Sequence, residues 1–193
     1  MTNVTTANPV LRGARTAFFA LLFAVFASVP LRAEAASREY DLKAAFLYNF
    51  ATFTEWPQST FPNATSPFVI GILGTDPFGS ALEEIVAGEK IKGRPIVIRR
   101  FERIEQAAQG SHILFVSPSE KRHLKEIIAV CRGRPVLTVA DLPGFVDAGG
   151  GVGFTTGSRI GIQINAEALR ASNVTVSPKL LRLAEVVAVD SPR

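Results

Sequence analysis

The sequence predicts an α/β fold: a three-layer sandwich with a mainly parallel sheet, a C-terminal antiparallel hairpin and helices on both faces. Three observations predict it. Between residues 68 and 140, short apolar runs suited to buried strands alternate with helical stretches three times, the pattern of right-handed crossovers in a parallel sheet. Two further strand-like runs, residues 151–156 and 159–165, are separated by Gly157 and Ser158 alone, a loop length that closes antiparallel strands. The stretch 40–57, YDLKAAFLYNFATFTEWP, carries apolar side chains at three- and four-residue steps. It reads as a helix whose aromatic face needs a sheet to cover it.

The elements follow in order. Residues 1–35 read as a cleavable signal peptide: Arg12 and Arg15 precede the apolar run TAFFALLFAVFASV, and Ala33 and Ala35 stand where a signal peptidase needs small residues. The competing reading is an uncleaved anchor, for which the run is short, since a span takes about 20 residues. The remaining chain, residues 36–193, is expected to form a single domain. In the opening helix, Leu42, Phe46, Leu47, Phe50 and Phe53 form the apolar face, Asp41 and Lys43 point to solvent, and Pro57 ends the helix after Trp56. A polar, proline-bearing loop covers 58–67, and FVIGIL at 68–73 is the first buried strand. Asp76 is expected to cap a helix over 78–87 with Pro77 at its first position, and Leu82, Ile85 and Val86 facing inward. Strand 94–101, a short helix 102–109, strand 112–117, a longer helix 118–131 with Leu124, Ile127, Ile128 and Cys131 on one stripe, and strand 135–140 complete the alternation. After the hairpin come a short helix 166–171 and a final helix capped by Ser177, with Leu180, Leu181, Ala184 and Val187 inward.

Composition narrows the functional classes. Of 21 basic and 17 acidic side chains, the leader holds Arg12, Arg15, Arg32 and Glu34, so the remaining chain has 18 and 16, a net of +2. That balance gives no reason to expect nucleic acid as a partner. The one cysteine, Cys131, lies at the end of an apolar helical stripe. Burial is one reading and a reactive thiol the other.

Residues able to carry chemistry are few. Gly71, Gly74, Asp76 and Gly79 match neither dinucleotide nor P-loop spacing, and Asp76 at a helix start would repel a phosphate. A tight strand–helix turn is the simpler account. Gly149, Gly150, Gly151 and Gly153 could bring bare backbone donors to an anion or form a flexible entry to the hairpin. The loop 142–153, with Phe145 and Gly150, and Phe154 directly after it, is the place to look for a ligand or partner. His112 and His123 have neither a nucleophile elbow nor metal-ligand spacing around them, and Glu83 and Glu84 point apart on a helix. No catalytic residue, metal or cofactor is therefore expected. Basic residues cluster at Lys90, Lys92, Arg94, Arg99, Arg100 and Arg103, and again at Lys121, Arg122, Lys125, Arg132 and Arg134. They are either solvated faces or patches for an acidic domain or anionic headgroups. Trp56 either seals one end of the core or lines, with Phe61, a groove for a partner. The crevice outside Gly74, Thr75, Asp76 and Ser117 is where an open parallel sheet would bind a small molecule, so a small-molecule-binding protein is the alternative to a protein-binding module.

KAAFLYNFATFTEWP resembles the opening signature of the YfiR family of periplasmic proteins, and GGGVGF at 149–154, RIGIQIN at 159–165 and SPKLLRLAEVV at 177–187 continue the likeness. The resemblance implies a non-catalytic periplasmic regulator that binds and represses an inner-membrane signalling protein. In this family that protein is typically a diguanylate cyclase, bound at its periplasmic domain, so that cyclic-di-GMP and biofilm formation fall. It further implies an outer-membrane lipoprotein as antagonist and a homodimer. Paired cysteines of the kind that family members can carry are missing, which removes internal disulfides as a redox device.

Overall fold

The computed structural model describes residues 29–157 and 159–187. The chain divides between Glu39 and Tyr40, and the larger compact unit begins at Tyr40. The greater part of the expected leader, residues 1–28, lies outside the described residues, as does Ser158 in the hairpin loop. Among the described residues, no helix is long and apolar enough to cross a membrane.

In chain order the elements are α1 (Val29–Thr52), β1 (Thr54–Glu55), β2 (Phe68–Leu73), α2 (Ala81–Val86), β3 (Lys90–Ile91), β4 (Arg94–Phe101), α3 (Ile104–Gly110), β5 (Ile113–Val116), α4 (Leu124–Cys131) and β6 (Leu137–Ala140). They continue with β7 (Val152–Thr156), β8 (Ile160–Asn165), α5 (Ala166–Ala171), β9 (Thr175–Val176), α6 (Pro178–Leu181) and β10 (Glu185–Val187). Eight strands form one sheet in the order β10-β8-β7-β6-β5-β2-β4-β3, and β1 pairs with β9 separately. Pairings β2–β4, β2–β5, β5–β6, β6–β7 and β8–β10 are parallel; β3–β4 and β7–β8 are antiparallel.

Alternation along the strands makes the layers. Ile113 and Phe115 of β5 join one apolar cluster with Phe68, Ile70 and Ile72 of β2, Leu47 and Phe50 of α1, and Leu82 and Val86 of α2. Leu114 and Val116 join the other, with Ala107 and Ala108 of α3 and Ile127, Ile128 and Cys131 of α4. The path from β2 to β4 runs toward one sheet edge, and the path from β4 through β5 to β6 runs back toward the other. Right-handed crossovers require the helices to change face at that reversal, and α2 lies opposite α3 and α4.

Five expectations are corrected. First, two neighbouring positions of the opening helix are exchanged, Lys43 being 0% exposed and Leu42 49% exposed, while Asp41 is exposed and Leu47 and Phe50 are buried as expected. The stripe that meets the sheet is Lys43, Ala44, Leu47, Phe50 and Ala51, in which two alanines let the backbone approach closely. Burial of Leu47 and Phe50 each stabilises by about 1.5–3 kcal/mol. Second, α1 ends at Thr52 rather than at Pro57. Thr54 and Glu55 pair with Val176 and Thr175, and the Ser177 N–H donates to the Phe53 carbonyl at 2.9 Å, so tertiary pairing takes these residues from the helix. Third, α2 begins at Ala81, with no side-chain cap from Ser80, because Asp76 accepts the Phe78 N–H at 2.7 Å in a turn. Fourth, the last helix stops at Leu181, and Glu185–Val187 instead adds to the sheet beside Gln163–Asn165. Fifth, the hairpin's last register pair is Thr156 with Ile160, one residue beyond what a two-residue loop allows.

Candidate functional site

The carboxyl ends of β2 and β5 flank the point where the chain reverses direction across the sheet, the usual crevice of such folds. Here it is closed by its own polar groups. The Ser117 hydroxyl donates to the Thr75 carbonyl at 2.6 Å, and the Thr75 N–H donates to Ser119 Oγ at 3.0 Å. Gly74 has a φ of 85°, and a Cβ there would collide with Ser119 and Glu120. Asp76 is ion-paired to Arg100 at 2.6 Å, and Arg100 also meets Glu83 at 2.6 Å. Gly74, Asp76 and Ser117 thus hold the turn shut rather than line an open site.

Trp56 and Phe61 belong to an aromatic stack at the opposite, amino-terminal end of the sheet. Trp56 is buried, with Nε1 donating to the His112 carbonyl at 3.1 Å and its ring edge-on to Phe68 at 4.9 Å. The His112 ring lies between Phe61 at 4.5 Å and Phe68 at 4.9 Å, nearly parallel to both. The Arg94 guanidinium covers the outer face of Phe61 at 3.9 Å and donates to the carbonyls of Asn63 and Ser66. The Val69 N–H donates to His112 Nδ1 at 2.9 Å, which places the ring proton on Nε2. That atom is buried without a partner. Burial, and then the nearby Arg94 charge, push His112 down to about 4. Trp56 seals the core, and Phe61 is part of the seal.

The glycine-rich loop carries no exposed anion cradle. Gly149 and Gly150 donate their N–H groups to the carbonyls of Val146 and Phe145, and Gly151 donates to Thr138 Oγ1 at 2.9 Å. Gly150 is glycine because a Cβ would lie 2.2 Å from the Phe145 ring. Phe145 is buried beneath the loop, and Phe154 packs on Phe50 at 6.0 Å and Phe46 at 6.1 Å.

One polar group there escaped sequence reasoning. Lys43 Nζ lies 2.6 Å from Asp141 Oδ2, which also accepts the Tyr40 hydroxyl at 2.9 Å. The Lys43 ammonium sits 4.7 Å from the centre of the Tyr40 ring and 5.8 Å from that of Phe154. Asp141 follows β6 directly and is 18% exposed. It lines a cavity of about 260 Å³ together with Phe145, Phe154, Thr155 and Gln163. The candidate residues Phe145 and Phe154 are therefore brought together around a charged pair nearly one hundred positions apart in sequence. The lone signal was Asp141 at the carboxyl end of a buried strand. A second cavity of about 260 Å³ lies where Cys131, Thr138, Asp147 and Asn165 approach one another. Asn165 is committed there to capping α5, accepting from Glu167 and Ala168. Burial pushes the Cys131 thiol up to about 11.

His123 is exposed, with Nδ1 3.1 Å from Glu120. Among the described residues there is no cluster of His, Cys, Asp and Glu able to hold a metal. The first basic cluster is tied down in part, Lys92 to Glu55 at 2.9 Å and Arg100 to Asp76 and Glu83. In the second, Lys121, Arg122, Lys125 and Arg132 are exposed. A family model described as YfiR/HmsC-like matches residues 40–185. No curated protein matches the chain.

Proposed function

This chain belongs to the YfiR/HmsC-like family, and we propose that it is a non-catalytic periplasmic regulator that binds and represses an inner-membrane signalling protein. The favoured target is the periplasmic domain of a diguanylate cyclase, whose repression lowers cyclic-di-GMP and biofilm formation. The observation that carries this reading is the family match, which runs from Tyr40 to Glu185 and so covers every strand of the sheet but the end of β10. The hydrogen-bonding of the histidines supports it: His112 is committed to the β2 backbone and His123 faces Glu120 on the surface.

The mechanism is differential binding. A regulator that prefers the inactive conformation of its target shifts the population by its affinity difference for the two states. An outer-membrane lipoprotein that competes for the regulator would reverse the shift. Deletion of the gene is expected to raise cyclic-di-GMP and biofilm, with restoration by the intact chain. Second-messenger levels that do not change on deletion would reject a cyclase as the target. The cavity beside Asp141 favours a second reading, a periplasmic small-molecule binder. A specific ligand would then raise the melting temperature of the purified protein and lose that effect in Gln163→Ala, which alters the cavity wall away from Lys43.

A further inference from the structure

The aromatic stack at the amino-terminal end of the sheet is built around a titratable ring, and the segment 58–67 is held by that ring. Phe61 lies flat on His112 at 4.5 Å, and His112 lies flat on Phe68 at 4.9 Å. The rest of the segment is local and shallow: residues Gln58–Thr60 form a single 3-10 turn with no buried residue, and Asn63, Thr65 and Ser66 bond one another in a turn in which residues 62–65 are exposed. Arg94 closes it from outside, through Phe61 and the Asn63 and Ser66 carbonyls. His112 is 7% exposed. Its two nitrogens are unlike. Nδ1 accepts the Val69 N–H, and Nε2 is buried with no partner.

We propose that His112 is a proton-operated latch for segment 58–67: neutral, it seats Phe61 and keeps the segment closed over the core, and protonated, it releases it. A second proton has to go to Nδ1, where the Val69 N–H already points. The imidazolium would then present two donors to a site that offers neither an acceptor. The groups facing the ring are Phe61 from the segment, Phe68 and Val69 from β2, Trp56 from the stretch after β1, and Arg94 from β4. Arg94 is the charge among them, and it repels a cation. The phenyl faces attract one, but burial and Arg94 together outweigh them, since His112 is pushed down to about 4 from an ordinary 6.5. If the ring regains its ordinary value when the segment opens, the opening equilibrium gains about 20-fold by pH 5 relative to pH 7. Opening would uncover the His112 ring and the floor formed by Phe68 and Trp56, the aromatic groove that the closed state lacks. This latch is independent of which partner the regulator has.

The test is amide hydrogen exchange on the purified full chain from pH 7 to pH 4.5, corrected for the intrinsic pH dependence of exchange. Thr60 and Phe61 donate to the Pro57 and Gln58 carbonyls and report the segment; residues 113–116 of β5 report the core. Protection at Thr60 and Phe61 is expected to fall about 20-fold by pH 5 while β5 stays protected, and this fall should vanish in His112→Gln but persist in His123→Gln. The ring resonance of His112 in the unaltered protein, which does not depend on any variant folding, should stay that of the neutral ring down to about pH 5, since the closed state holds it at about 4. Protection that stays constant to pH 4.5, a fall shared equally by β5, or a His112 resonance that titrates at the ordinary 6.5 in the closed protein would overturn the proposal.

Discussion

Removing the charge of Asp141 while keeping its shape should destabilise the protein more than removing the charge of Lys43. The difference in exposure sets the order. The Lys43 side chain is 0% exposed and that of Asp141 18% exposed. In Asp141→Asn the ammonium stays in the interior and loses the carboxylate it touches, and breaking a buried pair this way costs about 3–5 kcal/mol. In Lys43→Met the stem is replaced by one of similar length. The remaining carboxylate then keeps the Tyr40 hydroxyl and reaches water, so the cost is about 1 kcal/mol. The double variant Lys43→Met, Asp141→Asn leaves neither charge to solvate and should lie within about 1 kcal/mol of the unaltered protein. Coupling between the sites, the sum of the two single costs less that of the double, is then at least about 3 kcal/mol.

These sizes are measurable against the roughly 5–15 kcal/mol that holds a typical domain together. A loss of about 3 kcal/mol lowers the melting temperature by about 6–12 °C for a chain of this length. Urea titration followed by circular dichroism and by emission of Trp56, the chain's one tryptophan, gives all four corners of the cycle. A cost for Asp141→Asn below about 1 kcal/mol would refute this ordering, since the ammonium would then be stabilised without the carboxylate. So would a Lys43→Met cost larger than that of Asp141→Asn, because exposure would then not be what sets the order.

Other outcomes follow from single groups. His112 sits at about 4 in the fold against about 6.5 unfolded, so the stability it contributes is fully present above the unfolded value and is lost as pH falls toward 4. Denaturant titrations should show about 2 kcal/mol lost by pH 5, and His112→Gln should flatten that slope. Cys131 is buried and its thiol is pushed up to about 11, so a thiol reagent at pH 8 should label it only at the rate of unfolding; rapid labelling of the native chain would contradict its burial. Gly150→Ala drives a methyl into the Phe145 ring and should cost about 1–3 kcal/mol by chemical denaturation, whereas Leu42→Gln, at a half-exposed site, should change stability by less than about 0.5 kcal/mol.

The layers of the fold were legible because they depend on local pattern. FVIGIL and ILFV are buried at every position, and a run of that kind has one stable home, the middle of a covered sheet. The first helix was legible as a helix but not in its rotation. Leu42, Phe46 and Phe53 look like the buried stripe on side-chain polarity alone, yet their flank is only half covered, and the helix turns to bring Lys43 onto Asp141. A lysine at a core position reads as an error until its partner is known, and the partner lies 98 residues away. The same holds for the C-terminus. Residues 178–187 have helical spacing, but Val186 and Val187 have β-branched side chains, and the open edge of β8 offers backbone partners that a continued helix would forgo.

Candidate site residues divided along the same line. For the glycines and small polar residues after β2 and β5, a tight strand–helix turn is the simpler reading and a ligand crevice the alternative, since that is where such folds bind ligands. Whether the crevice is open depends on what the polar side chains do there. Ser117 and Ser119 each have one hydroxyl, and both are used on Thr75. A ligand entering would have to break both bonds and find replacements for each, a cost of about 1–3 kcal/mol for every group left unpaired. The space beside Asp141 faces no such cost. Its carboxylate is paired with Lys43 and partly open to water, while Phe145 and Phe154 supply an apolar wall. A carboxylate partly open to water beside an apolar wall can meet a partner without first breaking such bonds. If the proposed repression runs through this surface, the end of β6, rather than the switch point between β2 and β5, is where substitutions such as Thr155→Ala and Gln163→Ala should weaken it without lowering the melting temperature. Variants at Ser117 and Ser119 should do the reverse.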